Sequence, residues 1–403
     1  METKIIDYLE KRLAKELYDN ILPFWIDNAV DYDHGGFIGR IFNDLRVEEN
    51  APKGLILNAR ILWTFSKAYN ISKIDDYLQI ATRAYRYLIE KFYDEKFGGF
   101  VWSVDYNGNF FDEKKRAYGQ GFAIYGLSEY YRASRDEWAL KVAIDTFHHL
   151  EKYAFDPENT GYFETYNRDW TLADDLRLSE RDMDEKKSMN NHLHLLEGYA
   201  NLYRVWKNKL LEKQLRSLLL NFRDHIINRE TLHFRLFFDE KWHPKSANES
   251  YGHDIEGSWL LFESAEILGH DDLIDDIKHL AVKMAEVSRD NHLSPDGSLC
   301  FESSPGTLNR EKHWWVSAEA LVGYFNAYEL TGEKAYLYAV QKVWDFIDHH
   351  FVDKELGEWY YLINESGHVD NSEYKVSEWK GPYHNGRACI EILARIRKIK
   401  HGK

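Results

Sequence analysis

The chain has 403 residues, of which 44% are apolar and 15% aromatic, so it can fill a large core. Its net charge of −15 argues against a nucleic-acid or anionic-membrane partner, since both require a basic face. Cys300 and Cys389 are too few for a disulfide framework or a zinc pattern, and no run reaches the roughly 18 apolar residues of a membrane span. The first residues enter a charged amphipathic segment without a signal-peptide core, so we expect a cytoplasmic protein, and we expect a monomer.

Helical periodicity recurs along the whole chain. Apolar residues at the i, i+3/i+4, i+7 spacing, such as Leu195, Tyr199 and Leu202, mark one face of an amphipathic helix. The pattern predicts twelve helices, over residues 2–20, 53–70, 75–92, 115–134, 136–153, 188–207, 209–226, 252–269, 271–289, 313–331, 333–350 and 382–398.

The links between these segments alternate in length. Short links, such as 134–136 and 269–270, follow every second helix, and the remaining links are long. Several long links place glycine next to aromatic residues, which is typical of small β-hairpins with glycine at the turn. These stretches are Gly35-Gly36-Phe37, Gly98-Gly99-Phe100, Gly161-Tyr162-Phe163 and Gly357-Glu358-Trp359. The unit is therefore helix, short turn, helix and long loop, with a period of about 60 to 70 residues.

Six helix pairs at this period predict an all-α fold, an (α/α)6 barrel with small β-hairpins in its long loops. An open helical solenoid is the alternative, but its repeats usually take about 30 to 45 residues with short links. Since no Pro/Ser-rich linker or low-complexity run is present, we expect residues 1–403 to form one domain. The most charged link, 174–187, is either a mobile lid or a solvated loop.

Polar side chains in or just before the first turns of six helices are the candidate site residues. These helices follow the long loops and would form the inner ring of the barrel, so their N-terminal ends would meet in one bowl. The candidates recur at the period of the repeat, which is the main reason to expect a shared site. They are Arg60; Tyr118 with Gln120; Asn190 with His194; His253 with Glu256; Trp315 with Glu319; and His384, preceded by Trp379.

Each candidate also has a purely structural interpretation. His192 and His194 point about 200° apart on a helix, so only one of them can face the bowl. Either histidine could be a hydrogen-bonded core residue. Arg60 and Glu319 could form a buried ion pair, and the tryptophans could belong to the core, although tryptophan is also a common platform for the apolar face of a sugar.

The available chemistry is that of histidine and carboxylate groups. His253 and Glu256, with Asp254 between them, share a helix face and form the strongest cluster. No His-Glu-x-x-His, cysteine cluster, phosphate loop or dinucleotide fingerprint is present, so we expect neither a metal nor a cofactor. Two reaction classes on a small sugar remain: a glycosidase with two carboxylates, and an epimerase or isomerase with two histidines as base and acid.

Four motifs carry a resemblance to a known family. They are KSMNNHLHLLE over 187–197, SYGHDIE over 250–256, WWVSAEA over 314–320 and WKGPYHNGR over 379–387. In this order they resemble the cellobiose 2-epimerases, which belong to the N-acylglucosamine 2-epimerase superfamily. The resemblance extends from Gly35 through residues 58–63 to His384, nearly the whole chain.

The resemblance implies an (α/α)6 barrel and a reversible, cofactor-free inversion at C2 of a reducing-end glucose or mannose unit, as in cellobiose or lactose. It implies that His253 and His384 are the general acid/base pair, and that His194 and Arg60 bind and polarise the carbonyl end. It further implies that Asn190, Glu256 and Glu319 bind the substrate, with Trp315 and Trp379 stacking on the sugar. Tyr118 is expected to join them because of its position in the first turn of an inner helix.

Two positions depart from the family pattern. Gly381 stands where this family often has cysteine, and Asn191 where threonine is common. Because similar proteins act on free mannose, the size of the substrate stays open. The alternatives are a mannose 2-epimerase or an aldose–ketose isomerase acting on a free monosaccharide, and then an (α/α)6 glycoside hydrolase.

Overall fold

The computed structural model describes residues 2–402, and most of them are helical. The α-helices are α1 (Glu2–Lys15), α2 (Leu22–Asn28), α3 (Leu55–Ser72), α4 (Asp75–Tyr87), α5 (Ala117–Ser134), α6 (Glu137–Tyr153), α7 (Met189–Val205), α8 (Lys209–Asn221), α9 (Tyr251–Leu268), α10 (Asp271–Val287), α11 (Trp314–Thr331), α12 (Lys334–Phe346) and α13 (Tyr383–His401). Every predicted helical segment coincides with one of these helices to within a few residues.

The first helix extends beyond its predicted end at residue 20. A π-helical turn, Glu16–Ile21, joins α1 to α2 without a break. Pro23 lies just after this π-helical turn, in the first turn of α2. Four other helices, α4, α8, α10 and α12, also end in a π-helical turn.

The helices pack in a closed cyclic order. Helices α3, α5, α7, α9, α11 and α13 each pack against the next, and α13 packs back on α3. Their first turns are buried on almost every side, as expected for helices enclosed by others. Helices α4, α6, α8, α10, α12 and α1 pack against these inner helices and bury mainly one face. No helix within residues 2–402 is both long and apolar enough to cross a membrane.

Short strands connect the long loops. They are β1 (Ile41–Phe42), β2 (Lys53–Gly54), β3 (Ser103–Val104), β4 (Phe110–Asp112), β5 (Lys115–Arg116), β6 (Thr165–Tyr166), β7 (Lys187–Ser188), β8 (Phe237–Phe238), β9 (Glu249–Ser250), β10 (Glu302–Ser304), β11 (Thr307–Asn309), β12 (Lys312–His313), β13 (Leu362–Ile363) and β14 (Tyr374–Val376). The strand before each inner helix pairs antiparallel with a strand in the next long loop, and β14 closes the cycle on β1.

The long loops contain the predicted hairpins and, in addition, strand pairs between neighbouring repeats that were not predicted. β3 with β4 and β10 with β11 are hairpins within one loop. The glycine stretches form tight turns, each closed by a single β-bridge such as Val30 to Phe37 or Tyr93 to Phe100. The other strand pairs join neighbouring repeats, so the loops form a continuous crown at the N-terminal ends of the inner helices.

Buried lysine–aspartate pairs repeat in this crown. In each, a lysine from the strand before an inner helix binds an aspartate just after an outer helix, and three of the lysines also donate to the carbonyl of a neighbouring turn. These extra hydrogen bonds satisfy a buried charge that would otherwise be costly. The pairs are Lys53–Asp31, Lys115–Asp94, Lys187–Asp156 and Lys375–Asp353.

Candidate active site

A cavity of about 710 Å³ opens where the inner helices begin. Nine of the ten predicted catalytic and substrate-binding residues line it, because the cyclic order brings the first turns of six helices together. They are Arg60, Tyr118, Asn190, His194, His253, Glu256, Trp315, Trp379 and His384. The tenth, Glu319, is fully buried behind His384.

Three histidines line this cavity, and each is fixed through Nδ1. The bonds join His194 to Glu197 Oε2 at 3.1 Å, His253 to Ser250 Oγ at 2.7 Å and His384 to Glu319 Oε1 at 2.7 Å. In each ring Nε2 is therefore the nitrogen left for a substrate. A carboxylate partner accepts only, so it places the proton of its histidine on Nδ1.

Burial keeps these histidines neutral. It lowers the pKa of His253 to about 3, and the neighbouring His194 adds to the effect. Burial, followed by the Arg60 and Arg387 guanidinium groups, lowers the pKa of His384 well below its usual range. A neutral imidazole with a free Nε2 can accept a proton, which is what a general base requires.

Trp315 contacts both histidines of the predicted acid/base pair. Its ring centroid is 4.8 Å from that of His253 and 5.7 Å from that of His384. A second aromatic wall contains Trp379, with Tyr118 at 6.1 Å and Trp102 at 5.8 Å. The cavity thus has apolar surfaces on which the C–H face of a sugar can pack.

Arg60 supplies a positive charge to the wall. Its guanidinium donates to the carbonyl oxygen of Trp379 at 2.8 Å and to Tyr118 Oη at 3.2 Å, and it lies 4.6 Å from the ring centroid of Phe122. Among residues 2–402 it forms no ion pair, so the alternative of an Arg60–Glu319 pair is wrong. Glu319 binds other donors instead.

Arg387 lies behind the cavity wall and was not among the predicted site residues. Its Nη2 donates to Glu256 Oε1 and Glu319 Oε1, both at 2.7 Å, and its Nη1 contacts Glu197 and Tyr383. A signal for Arg387 and Glu197 exists in the sequence. Each lies three residues after a candidate histidine, the same helix-face spacing that joins His253 to Glu256.

Several other residues differ from expectation. Asp254 faces away from the cavity and binds His233 Nδ1 at 2.6 Å and the backbone N–H of Phe234 at 2.8 Å, so it anchors a loop. Gln120 bonds both backbone groups of Phe100 and is structural. Outside the link 174–187, sequence reasoning missed six wall residues, to which no helical spacing pointed: Trp102, Arg116, Trp314, Tyr361, Glu373 and Glu378.

The charged link 174–187 contributes directly to the cavity. Residues 175 and 177–182 line its wall. The link is attached to β6 at Leu176, whose carbonyl accepts from Thr165 Oγ1 at 2.8 Å, and within the link the N–H of Leu176 donates to Asp184 Oδ1 at 2.9 Å. Of the two alternatives, a lid or a solvated loop, this placement favours a segment that covers the site.

Three ligand-type groups lie close together at the cavity wall. Glu256, Glu319 and His384 each offer one atom within 4.8 Å of the others. Arg387 Nη2 donates to both carboxylates, so a guanidinium already supplies the positive charge that such a cluster attracts. The arrangement fits charge compensation by arginine, and the expected independence of metal stays a prediction.

Comparisons with known proteins identify a family to which the chain is similar over most of its length. The family profile described as N-acylglucosamine 2-epimerase (GlcNAc 2-epimerase) matches residues 36–387. The cellobiose 2-epimerase of Bacteroides fragilis is 45% identical over 96% of this chain and 99% of its own. The solved structure of the cellobiose 2-epimerase from Bacillus thermoamylovorans B4167 is 36% identical and superposes with a TM-score of 0.93 over 96% of this chain and 100% of its own.

A more distant relative differs in its named activity. The D-mannose isomerase of Marinomonas mediterranea is 24% identical over 96% of this chain and 96% of its own. The profile match and the 45% identity to the Bacteroides fragilis protein both extend over most of the chain. On these grounds the chain belongs to the N-acylglucosamine 2-epimerase family.

Proposed function

We propose that this protein inverts the configuration at C2 of the reducing-end glucose or mannose unit of a β-1,4-linked disaccharide, cellobiose first and lactose as a second substrate. The observation that carries the proposal is the pair of neutral histidines, His253 and His384, which both contact Trp315 in one cavity. The full-length similarity to cellobiose 2-epimerases supports the choice of a disaccharide.

The reaction needs no cofactor in this proposal. Once the sugar ring opens, C2 lies beside an aldehyde, and its proton can leave to give an enediolate. The substrate's own carbonyl holds the developing charge, and Arg60 near that oxygen would stabilise it. Return of the proton to the opposite face gives the epimer, whereas protonation at C1 gives the ketose as a side product.

Inversion requires proton removal on one face and proton return on the other. His253 and His384 would each serve one face, with Trp315 against the sugar between them. His194 would bind the carbonyl end beside Arg60. Asn190 lines the cavity with a side-chain oxygen that has no partner within residues 2–402, so it is well suited to bind a sugar hydroxyl.

We further propose that the chain is a single (α/α)6-barrel domain and works as a monomer without metal or cofactor. Two independent cycles support the barrel: the packing of α13 on α3 and the pairing of β14 with β1. Both bring the last repeat against the first, which an open solenoid does not do.

Hydrolysis is the weaker candidate because the carboxylates are poorly placed for it. A glycosidase needs two carboxyl groups that flank the scissile bond. Glu256 and Glu319 share one nitrogen of Arg387, and Glu319 does not line the cavity. A free-monosaccharide epimerase or isomerase is the closer competitor, since it would use the same histidines.

The test is to incubate cellobiose with the protein in D2O and to follow C2 by NMR. The expected product is 4-O-glucosyl-mannose with deuterium at C2, at unchanged mass apart from the isotope. If neither the epimer nor deuterium at C2 is detected, the proposal is wrong. Release of glucose would favour the hydrolase. Faster turnover of free mannose than of cellobiose in a parallel reaction would favour the monosaccharide enzyme.

A further inference from the structure

Three buried carboxylates surround one cation behind the cavity. Glu197, Glu256 and Glu319 all contact the guanidinium of Arg387, and all four side chains are shielded from solvent. If all three carboxylates were ionised, one positive charge would face three negative ones in a region without bulk water. A buried group in that position usually binds a proton instead of remaining charged.

Two of the carboxylates are well supplied with hydrogen-bond donors. Besides Arg387, each accepts from the Nδ1–H of one histidine and from one aromatic side chain. Hydrogen bonds of this kind stabilise the ionised form. The additional donors are His384 at 2.7 Å and Trp259 Nε1 at 3.0 Å for Glu319, and His194 at 3.1 Å and Tyr383 Oη for Glu197.

Glu256 is the exception. Its Oε1 accepts one bond, from Arg387 Nη2, and its Oε2 has no partner within residues 2–402. Unlike Glu319, Glu256 lines the cavity. Of the three carboxyl groups it is thus the least stabilised as an anion and the only one with a free oxygen beside a substrate.

The charges around Glu256 balance when it is neutral. Glu319 from α11 and Glu197 from α7 carry two negative charges, and Arg387 from α13 and Arg60 from α3 carry two positive ones. The neighbouring histidines are His194 on α7, His253 on α9 itself and His384 on α13, and burial lowers the pKa of each.

We propose that Glu256 is a neutral carboxylic acid in the working enzyme and that its Oε2–H donates a hydrogen bond to an oxygen of the sugar. The hydrogen bond to a sugar rests on the proposed function, because that function supplies the substrate. The protonation of Glu256 does not depend on it. Burial, followed by the repulsion from Glu319, raises the pKa of the Glu256 carboxyl well above its usual range. The proton would be lost, and the donor with it, as the pH rises through that folded-state pKa.

The first experiment compares Glu256→Gln with Glu256→Ala. Glutamine has the same shape, stays neutral and keeps an N–H donor, so we expect it to retain kcat/KM to within about tenfold. Alanine removes the donor, and we expect a loss of about 10²- to 10³-fold. Glu319→Gln is the matched control, because the same change at an ionised carboxylate should cost more. Equal losses for Glu256→Gln and Glu256→Ala would overturn the proposal.

The second experiment reads protonation without any sugar. An infrared difference spectrum of parent minus Glu256→Gln at neutral pH should contain the C=O band of a protonated carboxyl group, and raising the pH should remove the band. A spectrum with only carboxylate bands would overturn the proposal, whatever reaction the protein catalyses. Failure of C2 inversion with the band present would instead count against the proposed function alone.

Discussion

His384 Nδ1 lies 2.7 Å from Glu319 Oε1, and this oxygen also accepts a hydrogen bond from Arg387 Nη2 at 2.7 Å. Glu319 Oε1 therefore links the imidazole of His384 to the guanidinium of Arg387 through two hydrogen bonds. Because the carboxylate holds the proton on Nδ1, Nε2 is left as the basic nitrogen. The state of one side chain in the wall therefore depends on a buried network behind it.

Replacing Glu319 with glutamine should disturb this arrangement. An amide can offer N–H to Nδ1, which favours the tautomer with the proton on Nε2, and it no longer balances Arg387. We expect kcat to fall by about 10²-fold or more, within the usual worth of a general base. The control is Glu333→Gln at the exposed start of α12. The measurement is steady-state kinetics with cellobiose. If the kcat of Glu319→Gln equals that of the parent, as expected for the control Glu333→Gln, the interpretation is wrong.

Removal of metal should leave activity unchanged. Arg387 already donates to both carboxylates of the Glu256–Glu319–His384 cluster, so a protein side chain compensates the negative charge of the cluster. We expect full activity after exhaustive treatment with EDTA and gel filtration in metal-free buffer. A loss that one particular divalent ion restores would show that the cluster binds metal.

The helices and the cavity residues could be predicted because both follow from local periodicity. The spacing of apolar residues locates each helix, and the long loops mark which helix ends carry His194, His253 and His384. Periodicity does not say which buried groups meet. Arg387 contacts Glu197 across 190 positions of sequence, and such a contact appears only once the ring closes. Small hairpins within the loops could be predicted from glycine and aromatic residues, but the pairing of strands between neighbouring repeats could not, since those partners lie in the next repeat.

The stability of the fold should decrease in acid through its buried histidines. Burial lowers the pKa of His253 and of His192 to about 3. The unfolded chain titrates near the ordinary histidine value of about 6.5, so it binds more protons than the folded state between these values. Stability that is present above about pH 6.5 is then lost as the pH falls, by about 1.4 kcal/mol per pH unit for each such histidine.

The contribution of His253 can be isolated by comparison with a variant. Buried carboxyls of raised pKa, such as Glu16 at about 7 and Glu164 at about 8, impose the opposite slope on the whole protein. The contributions of those carboxyls cancel in the difference in the free energy of unfolding between the parent and His253→Asn. Urea unfolding at pH 6.5 and pH 5 should show that difference shift by about 2 kcal/mol in favour of the variant at the lower pH. A pH-independent difference would contradict the lowered pKa.

His253 and His384 should not be interchangeable. If they face opposite sides of C2, each direction of the reaction begins with a different base, and a proton must be both taken and returned. His253→Asn and His384→Asn should each lower net epimerisation by at least about 10²- to 10⁴-fold, the usual worth of a general acid or base. His148→Asn, at an exposed position of the outer helix α6, is the matched control and should retain activity.

The isotope pattern of the two variants distinguishes the histidines. A variant that keeps the base for one face can still exchange the C2 proton of one epimer with D2O without inverting it. NMR with both starting epimers should therefore show exchange in one epimer for His253→Asn and in the other for His384→Asn, which assigns each histidine to a face. If both variants epimerise within tenfold of the parent, the two-histidine mechanism is wrong. A carboxylate would then have to remove the C2 proton, and the neutral Glu256 proposed above could not be that base.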